Sequence, residues 1–182
     1  MIYSPEEIID KKGDSYILRS LKQDDRDLLI SFITQGALES SHFPWAPGVT
    51  ELTADNAGEY ILDFENDSRK LLLGAFRDGR LIGLHELSGM GEWESMRHRC
   101  MVGGGLLKEN QGRGLGAEMM MAVVAAAKEI GYEQLEVNTA TDNNSGLGCL
   151  RSLGFKEYGM IPHKSKNKDG SYVDELRFVK WL

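Results

Sequence analysis

A glycine-rich stretch in the second half of the chain constrains the fold more than any other segment. Residues 109–120 read ENQGRGLGAEMM and place Gly112, Gly114 and Gly116 just before a long apolar segment. The first amides of a helix have no acceptor within the helix, and together with the helix dipole they attract anions. Glycines let an anion approach, because no side chain stands in the way. The stretch therefore predicts a turn that opens a helix and holds an anionic group.

Length and composition limit what the chain can be. With 182 residues, 41% of them hydrophobic and 27% charged, it has the profile of one globular domain over residues 1–182. The formal net charge of −7 disfavours nucleic acid as a partner, because that affinity depends on clustered Lys and Arg. The two cysteines form no CxxC pair, which argues against a zinc site, and no metal is expected.

The sequence does not favour a membrane location. The longest apolar run, residues 119–127, has nine residues, whereas about 20 are needed to span a bilayer. The first residues, MIYSPEEIIDKKG, lack the basic and apolar regions of a secretory signal. A cytoplasmic protein with no membrane partner is therefore expected.

The order of periodic segments predicts an α/β domain built around one mixed, mostly antiparallel sheet flanked by helices. A strand, two helices and three strands come first, and a helix, a strand, a helix and two strands follow. The Asp-Gly pair at residues 78–79 predicts a tight hairpin. The long helix is predicted over about Leu115–Ile130, ending at Gly131. Three glycines at residues 103–105 lie inside a strand, which indicates a bulge or the close approach of a ligand.

Glycine patterns of this kind occur in several nucleotide folds. A P-loop needs a GK[ST] ending, which does not follow these glycines. A dinucleotide-binding fingerprint is matched by Gly112, Gly114 and Ala117, with Glu136 about 20 residues further on. However, Glu136 falls inside a predicted strand, and the strands upstream look antiparallel. A dinucleotide-binding oxidoreductase stays an alternative, as does a turn that binds no ligand.

The pattern Q-x-x-G-x-G over residues 111–116 combines with three further features. Asn143 follows Gln111 by 32 residues, a short predicted helix leads to LGF at residues 153–155, and the chain closes with KDGSYVDELRFVKWL. Together these resemble the GNAT superfamily of N-acetyltransferases, and the likeness covers nearly all of the chain. The resemblance implies a single GNAT-like domain, acetyl-coenzyme A (acetyl-CoA) as cosubstrate, and a sheet that splays apart at the cofactor site.

The resemblance also implies which residues hold the coenzyme. Backbone amides of the turn would cradle the pyrophosphate, Asn143 would contact the pantetheine arm, and the strand before the turn would pair with that arm. Asn143 also suits the N-cap of the short helix, and the two roles are compatible. The implied cofactor-binding residues are Gly104, Gly105, Leu106, Gln111, Gly112, Arg113, Gly114, Leu115, Gly116, Ala117 and Asn143.

The residues for proton transfer depart from the family pattern. Many members place a tyrosine in the short helix to protonate the departing thiolate, and Leu150 occupies that position here. A glutamate base of other branches corresponds to Cys100 or Asn138. A histidine or glutamate nearby can accept a proton directly or through water. The predicted catalytic residues are therefore His98 and Glu86, with His85 as a further candidate. The missing acid and base leave a non-catalytic acyl-CoA sensor as an alternative.

The acceptor is expected to be a primary amine of a small molecule, amino acid or peptide, as in bacterial branches of the family. His42 and Trp45, in the loop SSHFPWAPG, are candidates for its pocket, whereas Phe43 suits the core better. Three carboxylates offer charge to hold a cationic amine: Glu39, Glu51 and Asp174. The last strand, with Trp181 near its end, predicts a possible homodimer interface.

Overall fold

A computed structural model describes residues 1–40, 43, 52–53, 55–91, 93–167 and 169–182. Within these ranges the helices are α1 (Arg26–Glu39), α2 (Ala57–Asn66), α3 (Leu115–Ile130) and α4 (Asn144–Ser152). The strands are β1 (Glu6–Ile9), β2 (Ser15–Ser20), β3 (Leu71–Arg77), β4 (Arg80–Gly89), β5 (Arg99–Leu106), β6 (Gln134–Ala140), β7 (Lys156–Lys166) and β8 (Tyr172–Trp181).

The eight described strands form one sheet in the order β1-β2-β3-β4-β5-β6-β8-β7. Among them, β5 and β6 run parallel, and the other neighbours run antiparallel. This arrangement confirms the predicted α/β domain with a mixed, mostly antiparallel sheet. It also shows a strand that the sequence reading missed, because β1 is short and largely exposed and has no alternation of buried side chains.

Glycines with positive φ lie at the β3–β4 turn and at both ends of helix α3, where the sequence predicted them. The β3–β4 hairpin turns through Asp78 and Gly79, both with positive φ (50° and 73°), as a primed two-residue turn requires. Helix α3 begins after Gly114 (φ 90°) and ends before Gly131 (φ 94°), so its predicted limits are confirmed. Both positions lie in the left-handed region, where glycine is favoured over other residues.

Helices cover both faces of the central strands. β3 is buried along nearly its whole length, with α1 and α2 on one face of the sheet and α3 on the other. A methyl group at Gly83 of β4 would lie 3.0 Å from the Met119 sulfur of α3, whereas the Tyr60 hydroxyl of α2 donates to Glu86. From Gly83 onward, odd-numbered residues of β4 therefore face α3, and even-numbered ones face α2. Within the described ranges, no helix is long and apolar enough to cross a membrane.

The parallel pair β5–β6 separates part of the way along. Arg99, Cys100 and Met101 pair with Gln134, Leu135 and Glu136, and beyond them the two strands diverge. β5 meanwhile stays paired with β4 without a register shift, from Gly83↔Leu106 to Gly89↔Cys100. The three glycines of β5 therefore form no bulge against β4, contrary to one of the two readings of the sequence. They lie instead along an edge that β6 has left free.

Candidate active site

A cleft of about 580 Å³ opens where β5 and β6 diverge. One wall is β5 from Met101 to Leu106, and the opposite wall is β6 from Val137 to Ala140. Residues of α3 and α4 also line the cleft, and β8 contributes two acidic residues. Of the predicted cofactor-binding residues, six line the cleft: Gly104, Gly105, Leu106, Gln111, Gly116 and Asn143.

The glycine turn is held in place by a side-chain hydrogen bond from Gln111 and by its own backbone geometry. The Gln111 side-chain amide donates to the Leu106 carbonyl at 3.0 Å, which ties the turn to the end of β5. Gly112 and Gly114 both have positive φ (69° and 90°), so the turn depends on glycine at these positions. The Ala117 amide donates to the Gly114 carbonyl at 3.0 Å and is therefore used within the first turn of α3. The amides before it remain the natural anion site.

Arg113 points away from the cleft and joins the turn to the N-terminal β1–β2 hairpin. Its guanidinium pairs with the carboxylates of Asp10 and Asp14, and its carbonyl accepts from the Lys11 amide at 3.1 Å. Asp10 also accepts from the Tyr16 hydroxyl at 3.0 Å. We call this cluster, made of Asp10, Asp14, Tyr16 and Arg113, the hairpin clasp. It gives Arg113 a structural role that the motif had not indicated.

The charge at the centre of the hairpin clasp is well compensated. Asp10 is buried, and burial alone would raise the pKa of its carboxyl group. Hydrogen bonds from Arg113, the Lys12 amide and Tyr16 lower the pKa instead, so the net shift is downward. Asp10 is therefore a carboxylate at neutral pH and holds Arg113 by both charge and hydrogen bonding.

The short helix α4 presents Asn143 and Leu150 to the cleft. The Asn143 side chain accepts from the Gly146 amide at 3.0 Å and donates to the Thr139 hydroxyl at 2.9 Å. It therefore caps α4 and also lines the cleft, so the two predicted roles are geometrically compatible. Leu150, in place of the family tyrosine, is buried and lines the cleft. Burial raises the pKa of the neighbouring Cys149 thiol, so it stays protonated at neutral pH.

The structure does not bring His98 to the cleft. His98 is exposed and precedes β5, and its carbonyl accepts from the amides of Glu133 and Gln134. This is the end at which β5 and β6 are paired, whereas the cleft opens beyond Met101. The sequence showed that His98 lies next to the strand before the glycine turn. It did not show at which end that strand separates from β6. The placement of His98 does not support the predicted catalytic role.

Glu86 lies beside the cleft on the face towards α2. Its carboxylate accepts from the Tyr60 hydroxyl, and its Oε1 atom is 3.4 Å from the point where a Cβ on Gly103 would stand. Gly103 lines the cleft and has no side chain, so no side chain stands between the Glu86 carboxylate and the cleft at this position.

Cys100, at the position of the glutamate base in some family branches, does not replace that base. Burial, and next the charge of Glu136, raise the pKa of Cys100 to about 12, which excludes a thiolate base at neutral pH.

Of the predicted acceptor-side residues, His42, Trp45 and Glu51 lie outside the described residues. Phe43 is buried against Phe32, which confirms its assignment to the core. The carboxylate of Glu39 is used by the Lys108 amide at 2.7 Å and by the Gln35 side chain. Asp174 does line the cleft, and it accepts from the His163 amide at 2.7 Å.

Two cleft residues were missed as functional candidates. Glu175 of β8 lines the cleft and pairs in register with Ala140 of β6. Asn138 also lines it, and the buried side-chain oxygen of Asn138 has no hydrogen-bond partner among the described residues. The sequence gives no spacing signal for Glu175, because β8 reaches β6 only through the sheet order. Glu136, the acid of the dinucleotide alternative, is instead buried in a pair with Arg99, away from the cleft lining.

Comparison with known proteins agrees with this geometry. The family model for the acetyltransferase (GNAT) domain matches residues 16–156. An acetyltransferase of the GNAT family from Streptococcus pneumoniae superposes with a TM-score of 0.85 at 18% identity, covering 92% of this chain and 99% of that one. A ribosomal-protein-alanine N-acetyltransferase from Brucella melitensis gives 0.78 at 22% identity, covering 91% and 99%.

A third structure carries a ligand. A Salmonella typhimurium protein solved with its cofactor acetyl-CoA gives a TM-score of 0.78 at 17% identity, covering 92% of this chain and 94% of that one. No curated protein matches the sequence closely enough to count as a relative. The fold and the cleft define an acyltransferase of the α/β class with a splayed sheet. The chain belongs to the GNAT acetyltransferase family.

Proposed function

We propose that this protein transfers acetyl from acetyl-CoA directly to a primary amine of a small molecule, amino acid or peptide. The observation that carries the proposal is the separation of β5 from β6 beside a glycine turn that opens α3. The separation leaves the backbone edge of β5 free along the cleft, and the turn supplies an anion site at one end of it. An extended ligand with a pyrophosphate at one end fits this shape.

The chain's own groups account for holding the coenzyme. Amides of the turn before Ala117 would hold the pyrophosphate, and the edge of β5 at Gly104 and Gly105 would offer backbone partners to an extended arm. Asn143 lies across the cleft with its side chain fixed by α4. Acetyl-CoA bound here would supply the acetyl group as a thioester. A β5 amide aimed at its oxygen would stabilise the charge that develops there.

Acidic residues suit the acceptor side. Asp174 and Glu175 line the cleft on β8, and the net charge of the chain is −7. Carboxylates attract a cationic amine. Holding the amine beside the acetyl donor lowers the activation barrier, by on the order of 7–11 kcal/mol for well-oriented partners. The amine must lose a proton before it attacks. Glu86, behind Gly103, stays the candidate to accept that proton through water, and His98 is not proposed.

The alternative is an acyl-CoA-binding sensor that does not turn over its ligand. It is favoured by the residues at the usual proton-transfer positions, since Leu150 and Cys100 have no group that ionises near neutral pH. Transfer by positioning, with water taking the proton, needs neither group. The two functions share the coenzyme site and differ only in whether an amine releases the thiol.

Two measurements on the purified chain separate these functions. Isothermal titration with acetyl-CoA and with NAD is expected to show binding of acetyl-CoA alone. Thiol release from acetyl-CoA is then followed over a panel of a polyamine, an aminoglycoside, amino acids and a peptide. Release with at least one amine supports the enzyme. Binding without release over the whole panel supports the sensor, and binding of NAD instead of acetyl-CoA overturns both.

Self-association is a further part of the proposal. Large apolar side chains of the last two strands are exposed, at Tyr158, Met160 and Trp181. Burying them against a second copy would stabilise a homodimer, since exposed apolar patches often mark interfaces. Light scattering is expected to give twice the mass of the chain, and a monomer over the working concentration range would remove this part. A cytoplasmic location likewise stays a prediction.

A further inference from the structure

Lys11, at the tip of the β1–β2 hairpin, is a basic residue to which the proposed function gives no task. Its backbone amide donates to the Arg113 carbonyl at 3.1 Å, so the residue is anchored to the glycine turn. Its side chain crosses the turn at Gly114, where a Cβ would stand 3.2–3.4 Å from the Lys11 Cγ, Cδ and Cε atoms. The lysine stem therefore takes the space of a side chain at position 114, and the ammonium is one bond beyond Cε.

The positive charge of Lys11 is not used within the hairpin. Asp10 pairs with Arg113 in the hairpin clasp. Asp14 pairs with Arg113 as well and with Arg77. Two carboxylates and two guanidinium groups balance each other, and the exposed Lys11 side chain has no hydrogen bond or ion pair among the residues that the structure describes. A positive charge therefore stands beside the turn, although the whole chain carries −7.

The turn itself offers a row of amides without acceptors. Among the described residues, the backbone amides of residues 112–116 donate to no group, and the next amide, of Ala117, bonds the Gly114 carbonyl. Gly116 lines the cleft, and a Cβ there would lie 3.4 Å from the Leu106 Cδ1 atom, whereas the Gly114 position faces Lys11. The turn is thus flanked by the cleft on one side and by Lys11 on the other.

We infer that the Lys11 ammonium pairs with the pyrophosphate of bound acetyl-CoA. This inference rests on the proposed function, which assigns that anion to the amides of the turn. An ammonium group is a compact point charge with three donors, and it pairs with phosphate without the fixed fork geometry of arginine. Lys11 precedes residues 16–156, which the family model matches, so this contact adds the N-terminal hairpin of this chain to the coenzyme site.

Substitutions at neighbouring lysines test the charge without removing the stem. Lys11→Met keeps an unbranched side chain over Gly114 and removes the charge, whereas Lys11→Arg keeps the charge. Lys12→Met is the matched control, because Lys12 is exposed on the same hairpin tip and its loss changes the net charge equally. Isothermal titration at low salt compares acetyl-CoA with acetyl-dephospho-CoA, which lacks the 3′-phosphate but keeps the pyrophosphate.

The expected pattern separates a direct contact from the general field of the hairpin. Lys11→Met should weaken the binding of both ligands about fivefold, and Lys12→Met should stay within about twofold of the wild type. Lys11→Arg should recover most of the loss. In about 1 M salt the loss in Lys11→Met should fall below about twofold, because ions screen an exposed charge pair.

Other outcomes overturn the inference. Equal losses in Lys11→Met and Lys12→Met would show that only the overall charge of the hairpin matters, and unchanged affinities in Lys11→Met would show that the ammonium contacts no ligand group. A loss confined to acetyl-CoA would assign Lys11 to the 3′-phosphate. A wild-type chain that binds neither ligand would instead refute the coenzyme site itself. Thermal unfolding of each variant shows whether it is folded before the comparison is made.

Reductive methylation of the wild type gives an independent measurement at the residue itself. Saturating acetyl-CoA is expected to slow the labelling of Lys11, read by mass spectrometry of its peptide, and to leave the labelling of Lys12 unchanged. Acetyl-pantetheine, which carries no phosphate, is expected to protect neither lysine. Equal labelling of Lys11 with and without acetyl-CoA, in a chain that titration shows to bind the coenzyme, would contradict the contact while leaving the proposed function intact.

Discussion

The donor side and the acceptor side of the cleft are built differently. On the donor side, polar groups of the glycine turn and of α4 have partners within the chain: Gln111 bonds Leu106, Asn143 caps α4, and Arg113 sits in the hairpin clasp. On the acceptor side, the buried side-chain oxygen of Asn138 has no partner among the described residues. The glycine turn and the start of α4 are therefore organised by contacts within the chain, whereas Asn138 has no such contact.

The contrast also concerns which atoms recognise the ligand. The donor side offers backbone amides and a strand edge, whose geometry depends on glycines at a few positions. The acceptor side offers side chains from β6 and β8, which are brought together only by the sheet order. A backbone site can be kept while most of the sequence changes. A side-chain site changes with every substitution, so it is where relatives of the same fold can differ in acceptor.

Gly114→Ala is expected to have the largest effect on the donor side. A methyl group there would be strained at φ 90° and would stand 3.2 Å from the Lys11 side chain. Gly131→Ala is the matched control, because Gly131 has φ 94° at the other end of α3 and has nothing within 4 Å of its Cβ position. Both variants should lose roughly 1–2 kcal/mol of stability.

The two glycine variants are expected to differ in coenzyme affinity. Titration with acetyl-CoA should show a loss of about 100-fold for Gly114→Ala, because the anion site is displaced. Gly131→Ala should bind as the wild type does. Equal affinity in the two variants would mean that the turn only connects β5 to α3. It would contradict the assignment of the coenzyme's anion site to this turn.

Asp10→Asn is expected to weaken the binding of acetyl-CoA about tenfold, although Asp10 does not line the cleft. The reason is that Asp10 holds Arg113 and thereby the turn. Glu7→Gln removes a carboxylate from the same hairpin at an exposed site and serves as the control. Because the pKa of Asp10 is lowered below 3.8, the contribution of its charge is present above that value and disappears as the pH falls through the lowered pKa. Equal affinities of the two variants would contradict this role.

Glu175→Gln probes the acceptor side and should have a smaller effect. The KM of a cationic amine is expected to rise about threefold to fivefold, in line with a partly solvated charge pair. Affinity for acetyl-CoA should not change, because Glu175 lies away from the turn. Glu157→Gln on β7, whose side chain is 48% exposed beside Arg151, is the control. A loss of acetyl-CoA affinity in Glu175→Gln would show that the two sides are not separate.

Cys149→Ser is expected to have the smallest effect. Since burial raises the pKa of this thiol, it is not a thiolate at neutral pH. The kcat should stay within about twofold of the wild type, and iodoacetamide at pH 7 should leave activity intact. An acetylated enzyme seen by mass spectrometry, together with a collapse of activity in Cys149→Ser, would replace direct transfer by a covalent route.

What the sequence could predict follows the same division. The limits of α3 and the β3–β4 turn were readable because they depend on local backbone geometry, at Gly114, Gly131 and residues 78–79. His98 was misplaced because a sequence shows that a residue precedes a strand but not at which end two strands separate. Arg113 was assigned to the coenzyme, since its contact with Asp10, 103 residues away, has no local signal.

The acceptor side was the least predictable for a related reason. Glu175 and Asn138 become neighbours of one cleft only through the pairing of β6 with β8. The packing of the His85 ring was equally hidden, because it depends on the absence of a side chain at Gly104 on the adjacent strand. Contacts of this kind are set by register across the sheet, and register was not available from the periodicity of single strands.

The hairpin clasp also bears on the order in which the chain acquires its parts. β1 and β2 form a local hairpin, but Asp10 must wait for Arg113, which is synthesised 103 residues later. Closing so long a loop is slow compared with forming the helices and hairpins between them. A chain that has made most of its secondary structure would therefore still lack an organised anion site. Retention of the coenzyme would report completion of folding, and removal of the first residues would delay or prevent it.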